Sequence, residues 1–206
     1  MLLGNMWRSL YGRARRDGEK NVRRNSLYER VVFILVGLVL LIGAGLVARA
    51  AFWPTITYTV AVRIDADTAS VWDMMSDPKQ RVRWQRGLVD IIPLIEGDLM
   101  LGARNLVLFQ AGEQRYEIEE EVVEYRPEQA LHLVHTSDAF VAIIQYEMTG
   151  NNNSENNDGH SSTVTLRVQH SWHGFRQRVV APFYYFQEKN YAQGVLQRLK
   201  ELSQKQ

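Results

Sequence analysis

Val31 to Ala48 reads VVFILVGLVLLIGAGLVA, a run of aliphatic and small residues with one Phe and no polar or charged side chain. At about 1.5 Å of rise per residue, a helix of this length spans about 27 Å, close to the hydrocarbon thickness of a bilayer. Arg30 closes the run on one side and Arg49 on the other, with Phe52 and Trp53 following at an interfacial level. A fully buried core helix rarely runs this long without one polar residue, so the stretch is read as a single transmembrane helix.

Net charge is +1 overall, which hides an asymmetry. Residues 1–30 carry eight basic side chains (Arg8, Arg13, Arg15, Arg16, Lys20, Arg23, Arg24, Arg30) against Asp17, Glu19 and Glu29. The rest of the chain is therefore mildly acidic, which argues against a nucleic-acid partner. The basic tail reads as a cytoplasmic topology signal that also touches anionic headgroups, or simply as a solvated tail, with Gly4, Gly12 and Gly18 interrupting any helix. Either reading keeps the N-terminus in the cytoplasm and sends everything after Trp53 to the extracytoplasmic side. Ala48-Arg49-Ala50 has the form of a signal-peptidase site, but the long basic leader favours an uncleaved anchor. The chain has no Cys, which excludes disulfides and thiolate chemistry.

After a short linker (49–54), residues 55–206 are long enough for one domain with its own core. Ile56, Tyr58, Val60, Val62 and Ile64 alternate with Thr55, Thr57, Thr59 and Arg63, the pattern of a half-buried strand. Asp65 or Asp67 caps a short helix over Thr68–Met75, Ser76-Asp77-Pro78 stops it, and a second short helix covers Lys79–Trp84. Six strands are predicted at Leu88–Ile95, Ala103–Gln110, Gln114–Tyr125, Ala130–His135, Phe140–Met148 and Thr163–Trp172. Their separators include Glu96-Gly97-Asp98, Ala111-Gly112-Glu113 and the polar stretch Gly150–Gly159, which contains the sequon Asn152-Asn153-Ser154. Phe175–Gln206 is predicted helical, with Tyr184, Tyr191, Ala192, Val195, Leu196, Leu199 and Leu202 on one stripe and Pro182 at an early turn or kink.

Strand, two short helices, six strands and a long amphipathic helix form an uncommon order. Particular segments carry it: Val62-Arg-Ile-Asp-Ala-Asp-Thr-Ala-Ser-Val-Trp72, Asp77-Pro78, Trp84, Val122-Val-Glu-Tyr-Arg-Pro127 with Leu131, Ser162-Thr-Val-Thr165 with Gly174, and Leu196-x-x-Leu199-Lys200. The domain resembles the START/Bet v 1-like (SRPBCC) superfamily, particularly its polyketide cyclase/dehydrase-like branch. It departs at Asp67, where many members have Pro. The resemblance implies an α+β helix-grip fold, a strongly bent antiparallel sheet around the C-terminal helix, and a habit of binding hydrophobic ligands. It does not imply a reaction.

Strand parity predicts the lining. Phe140, Ala142, Ile144, Tyr146 and Met148, and Val164, Leu166, Val168, His170 and Trp172, face inward, with Tyr116, Ile118, Glu120 and Val122 from a third strand. From the helices, Met75, Trp84, Phe183 and Phe186 are expected at the mouth. The candidate ligand-binding set is therefore Met75, Trp84, Tyr116, Ile118, Phe140, Ile144, Tyr146, Val168, Trp172, Phe183 and Phe186. Glu120 and His170 sit inside as polar residues and, if adjacent, form an acid/base pair for cyclase- or hydrolase-type chemistry. His132-x-x-His135 and His170-x-x-His173 each place their rings on opposite faces of a strand, so no metal is expected, and nothing calls for a cofactor. Lys79, Arg81, Arg83 and Arg86 around Trp84 read as a headgroup-binding cluster or a solvated helix face.

Three functions follow. The first is a membrane-anchored protein that binds or transfers a hydrophobic, lipid-like molecule. The second is an enzyme using Glu120 and His170, and the third is a non-catalytic scaffold subunit of a membrane complex.

Overall fold

A computed structural model describes residues 3–52, 55–95, 99–151 and 161–205, with side chains from residue 27 onward except that of Asn151. Trp53, the Glu96-Gly97-Asp98 turn and the Asn152-Asn153-Ser154 sequon lie outside the described residues. The chain divides into two compact units, Met1–Arg49 and Ala50–Gln206.

The first unit is most of one helix, α1 (Leu3–Phe52). It runs through Gly4, Gly12 and Gly18, so the glycines do not break it as expected; each costs roughly 1 kcal/mol relative to Ala, and the helix formers between them continue the pattern. Its part from Leu27 to Phe52 has a mean hydropathy of 3.0 over its most apolar window, none of which is buried. This helix is long and apolar enough to cross a membrane.

The second unit begins its folded core with β1 (Thr55–Ile64), followed by α2 (Thr68–Ser76) and α3 (Pro78–Trp84). Asp67 caps α2 by accepting a hydrogen bond from the Ser70 amide at 2.8 Å. Asp77 closes α2 and caps α3 through the Lys79 amide, with Pro78 at the first helical position, where its missing N–H costs nothing. Gly87 then turns the chain at φ +82, and a Cβ there would meet the Gln110 carbonyl oxygen at 3.1 Å, so both conformation and space call for glycine.

The strands are β2 (Leu88–Pro93), β3 (Arg104–Ala111), β4 (Gln114–Arg126), β5 (Ala130–Thr136), β6 (Phe140–Asn151) and β7 (Ser161–Trp172). With β1 they form one antiparallel sheet in the order β1-β7-β6-β5-β4-β3-β2, and α4 (Phe175–Ser203) packs against β1 and β7. This is the helix-grip α+β architecture. A bulge at Val123 shifts the parity of β4, so Val122 and Tyr125 both turn inward and Tyr125 meets the edge of Trp72 at 5.4 Å. Ala192, Val195, Leu196 and Leu199 of α4 are buried with Ile64, Val71, Met75, Leu131, Leu133 and Val164 in one core. Pro182 stands about two turns inside α4, where it removes an intrahelical hydrogen bond without ending the helix.

Candidate functional site

The inner face of the sheet and one side of α4 line a cavity of about 600 Å³ with a wide mouth to solvent. The sheet contributes Tyr58, Phe109, Tyr116, Ile118, His135, Phe140, Ile144, Tyr146, Leu166, Val168, His170 and Trp172; α4 contributes Gln187, Glu188, Tyr191, Ala192 and Val195; Gln85 enters from the end of α3. Of the eleven residues nominated from sequence, seven line it: Tyr116, Ile118, Phe140, Ile144, Tyr146, Val168 and Trp172.

The four helix residues do not. Met75 is fully buried in the hydrophobic core. Trp84 is also core: its indole N–H donates to the Met74 carbonyl at 2.8 Å and its ring stands edge-on to Tyr146 at 6.1 Å, backing the cavity wall without reaching its surface. Phe183 and Phe186 are 69% and 73% exposed. At about 100° of turn per residue they project from the side of α4 opposite Ala192 and Glu188, which face the cavity.

Glu120 and His170 do not meet. Register places Asn105, Glu120, His135, Ala142 and His170 in one row across β3, β4, β5, β6 and β7. Glu120 and His170 are thus three strands apart, roughly 14 Å along the sheet at about 4.8 Å per strand. Glu120 is instead the hub of a buried network. Arg81 grips it with both terminal nitrogens, Nη1 to Oε1 at 2.8 Å and Nη2 to Oε2 at 2.7 Å, and Asn105 Nδ2 donates to Oε1 at 3.1 Å. His135 Nε2 lies 2.9 Å from Oε2. Burial alone would raise the Glu120 pKa, but the Arg81 charge and hydrogen bonds, with those of His135, hold it well below the carboxylate range. An ionised carboxylate only accepts, so His135 carries its proton on Nε2. Arg81 therefore leaves the cationic cluster expected around Trp84, because its guanidinium is inside, paired with Glu120.

His170 is placed differently. Its ring stacks on Phe140 at 5.1 Å and meets the edge of Trp172 at 5.7 Å. Burial first, and the neighbouring His135 second, push its pKa down from 6.5 to about 4, so it is neutral near pH 7. At the α4 wall, Tyr58 donates to Glu188 at 3.5 Å and the Tyr191 hydroxyl donates to the Arg86 carbonyl at 2.6 Å. Burial raises the Glu188 pKa, against the hydrogen bond from Tyr58. On the opposite face of the sheet, His132 lies between Glu124 (2.6 Å) and Glu147 (3.2 Å), an arrangement separate from the cavity.

Two buried polar atoms among the described residues lack a hydrogen-bond partner, Gln85 Oε1 and Trp172 Nε1, and both residues line this cavity. Buried polar groups are almost always satisfied, so both atoms are available to bond whatever fills the cavity. Sequence reasoning missed Gln85, because nothing in a helix-ending Gln signals its direction. It also missed Tyr58 and Tyr191 as lining, although the alternation of β1 and the stripe of α4 carry that signal. No group of His, Asp or Glu able to hold a metal occurs among the described residues.

No protein-family model matches the sequence, and no curated protein matches it. Solved structures do match the fold. The Mll3558 protein of Rhizobium loti is similar over 71% of this chain and 96% of its own, with 13% identity and a TM-score of 0.55. Ara h 8.0201 is similar over 74% of this chain and 99% of its own, at 9% identity and a TM-score of 0.54. A protein of unknown function from Staphylococcus aureus, SA2116, covers 73% and 96%, at 10% identity and a TM-score of 0.54. Identities this low carry architecture alone, and the architecture they share with this chain is the helix-grip fold.

Proposed function

We propose that this protein binds a hydrophobic small molecule in the cavity between the sheet and α4, and that α1 anchors it in the cytoplasmic membrane. The observation that carries the reading is the cavity itself: about 600 Å³, walled by aromatic and aliphatic side chains, with two polar atoms left unpaired among the described residues. Ligand sites have this size and this make-up, whereas a core of the same residues closes to a density that leaves few voids larger than a water molecule. The resemblance to START/Bet v 1-like proteins implies the same class of activity. A scaffold role would leave so large an apolar space without a purpose, and the separation of Glu120 from His170 removes the pair on which an enzymatic reading rests.

The anchor fits this function. Fewer than ten residues separate Ala48 from the first strand, so the domain is tethered close to the phase where apolar molecules concentrate. Arginine-rich residues before the apolar run keep the N-terminus cytoplasmic by the positive-inside rule and put the domain on the other side. Ile144→Trp tests the binding reading, since it fills the cavity from a lining position. The full chain should lose retention of diphenylhexatriene, a hydrocarbon probe, while keeping its fold by circular dichroism; equal retention would refute the assignment.

A further inference from the structure

The charge inventory of the cavity restricts what enters it, given that it is a ligand site as proposed above. Among the described residues, no Lys or Arg lines it. The cation behind its wall, Arg81, is fully engaged by Glu120. Of the two imidazoles, His135 donates Nε2 to Glu120, and His170 is held neutral among aromatic rings. The carboxyl in the lining, Glu188, has the wrong sign for an anion. A fatty-acid carboxylate or a phospholipid phosphate drawn in against these walls would lose water and gain no counter-charge, a costly burial.

The unpaired atoms say what is wanted instead. Trp172 Nε1 is a donor only, so it calls for an oxygen acceptor on the ligand. Gln85 is 6% exposed, and its unpaired Oε1 calls for a donor. An amide fits almost the same space with O and N exchanged, and a hydroxyl serves either orientation because it both donates and accepts. His170 adds a neutral ring nitrogen pair with no hydrogen bond to protein among the described residues.

We propose that the cavity selects uncharged lipophiles bearing hydroxyl or carbonyl oxygens, lipophilic alcohols and ketones, over fatty acids and phospholipids, with Trp172 and Gln85 as the polar contacts. The apolar walls bind the skeleton and these two residues choose its polar end. Displaced water at an uncompensated donor or acceptor loses affinity, so each contact discriminates as well as attracts.

Retinol and retinoate share a skeleton and differ at one end, CH₂OH against carboxylate. Native mass spectrometry of the full chain released from detergent at pH 8 reads retention of each, with diphenylhexatriene as a reference lacking polar atoms. Retinol is expected to be retained at least about tenfold more tightly than retinoate. Trp172→Phe and Gln85→Leu should each weaken retinol roughly two- to tenfold more than they weaken diphenylhexatriene, the worth of one net hydrogen bond. Retinoate bound as well as retinol overturns the proposed selectivity, as does a loss of diphenylhexatriene equal to that of retinol in both variants. Hydrocarbon binding without preference between retinol and retinoate refutes this proposal and leaves the binding function standing. Retention of none of the three probes refutes both.

Discussion

Glu120→Leu isolates what the buried network does. The wild-type side chains of Arg81 and Glu120 are 1% and 0% exposed, and four hydrogen bonds converge on the carboxylate. Leucine removes all four and leaves a guanidinium buried without a counter-charge. Losing one partner of a buried pair costs about 3–5 kcal/mol. At about 2–4 °C per kcal/mol for a domain of this size, the midpoint of thermal unfolding should fall by about 6–20 °C. Adding Arg81→Met removes the stranded charge, so the double variant should be more stable than Glu120→Leu alone. The pH dependence has a defined sign. The Glu120 pKa is depressed in the folded state, so its contribution is complete above its ordinary value of 4.5 and is lost progressively as pH falls below it. The variant should therefore show a flatter acid limb than wild type. Near-ultraviolet circular dichroism of the full chain in detergent micelles follows both curves. A loss under about 1 kcal/mol, or strict additivity of the two single substitutions, would refute the account of Glu120 as a paired structural carboxylate.

Three further outcomes are expected. The pKa of His170 is depressed to about 4 by burial, so the unfolded chain binds the proton first as pH falls. Stability should decline by a few kcal/mol between about pH 6.5 and 4, losing about 1.4 kcal/mol for each pH step of one across that window, and His170→Gln should abolish that part of the slope in urea unfolding titrations. A phosphatase that works only outside the cytoplasm, fused after Gln206, should be active, and Leu38→Arg with Leu41→Arg in the apolar run should release the protein from carbonate-washed membranes; an inactive fusion beside an active cytoplasmic reporter would reverse the orientation.

Much of the fold was legible because its signals are local. The alternation Ile56, Tyr58, Val60 and the stripe Ala192, Val195, Leu196, Leu199 each report one face of one element, and both faces are buried where expected. Of the two cap candidates Asp65 and Asp67, Asp67 starts α2, and Ser76-Asp77-Pro78, read as the stop of that helix, also caps the next. The site was half legible for the same reason: inward parity identifies most of the sheet wall, but parity says nothing about which strand lies beside which. Glu120 and His170 share a row and a face, and only the order β4-β5-β6-β7 shows that His135 and Ala142 intervene. Arg81 resembles its neighbours Lys79 and Arg83 in sequence, because a buried arginine is distinguished only by the carboxylate waiting for it. Phe183 and Phe186 are misjudged by hydrophobicity alone, where their phase relative to Ala192 on α4 points away from the cavity.

Mass spectrometry of what co-purifies with the full chain reads directly whether the space between the sheet and α4 holds a hydrophobic molecule. Lipids clinging to α1 are common to wild type and Ile144→Trp, so subtracting one profile from the other isolates the contents of the cavity. A hydrophobic, uncharged compound is expected in wild type in near-stoichiometric amount and depleted in the filled variant. Indistinguishable profiles from two equally folded proteins would contradict it.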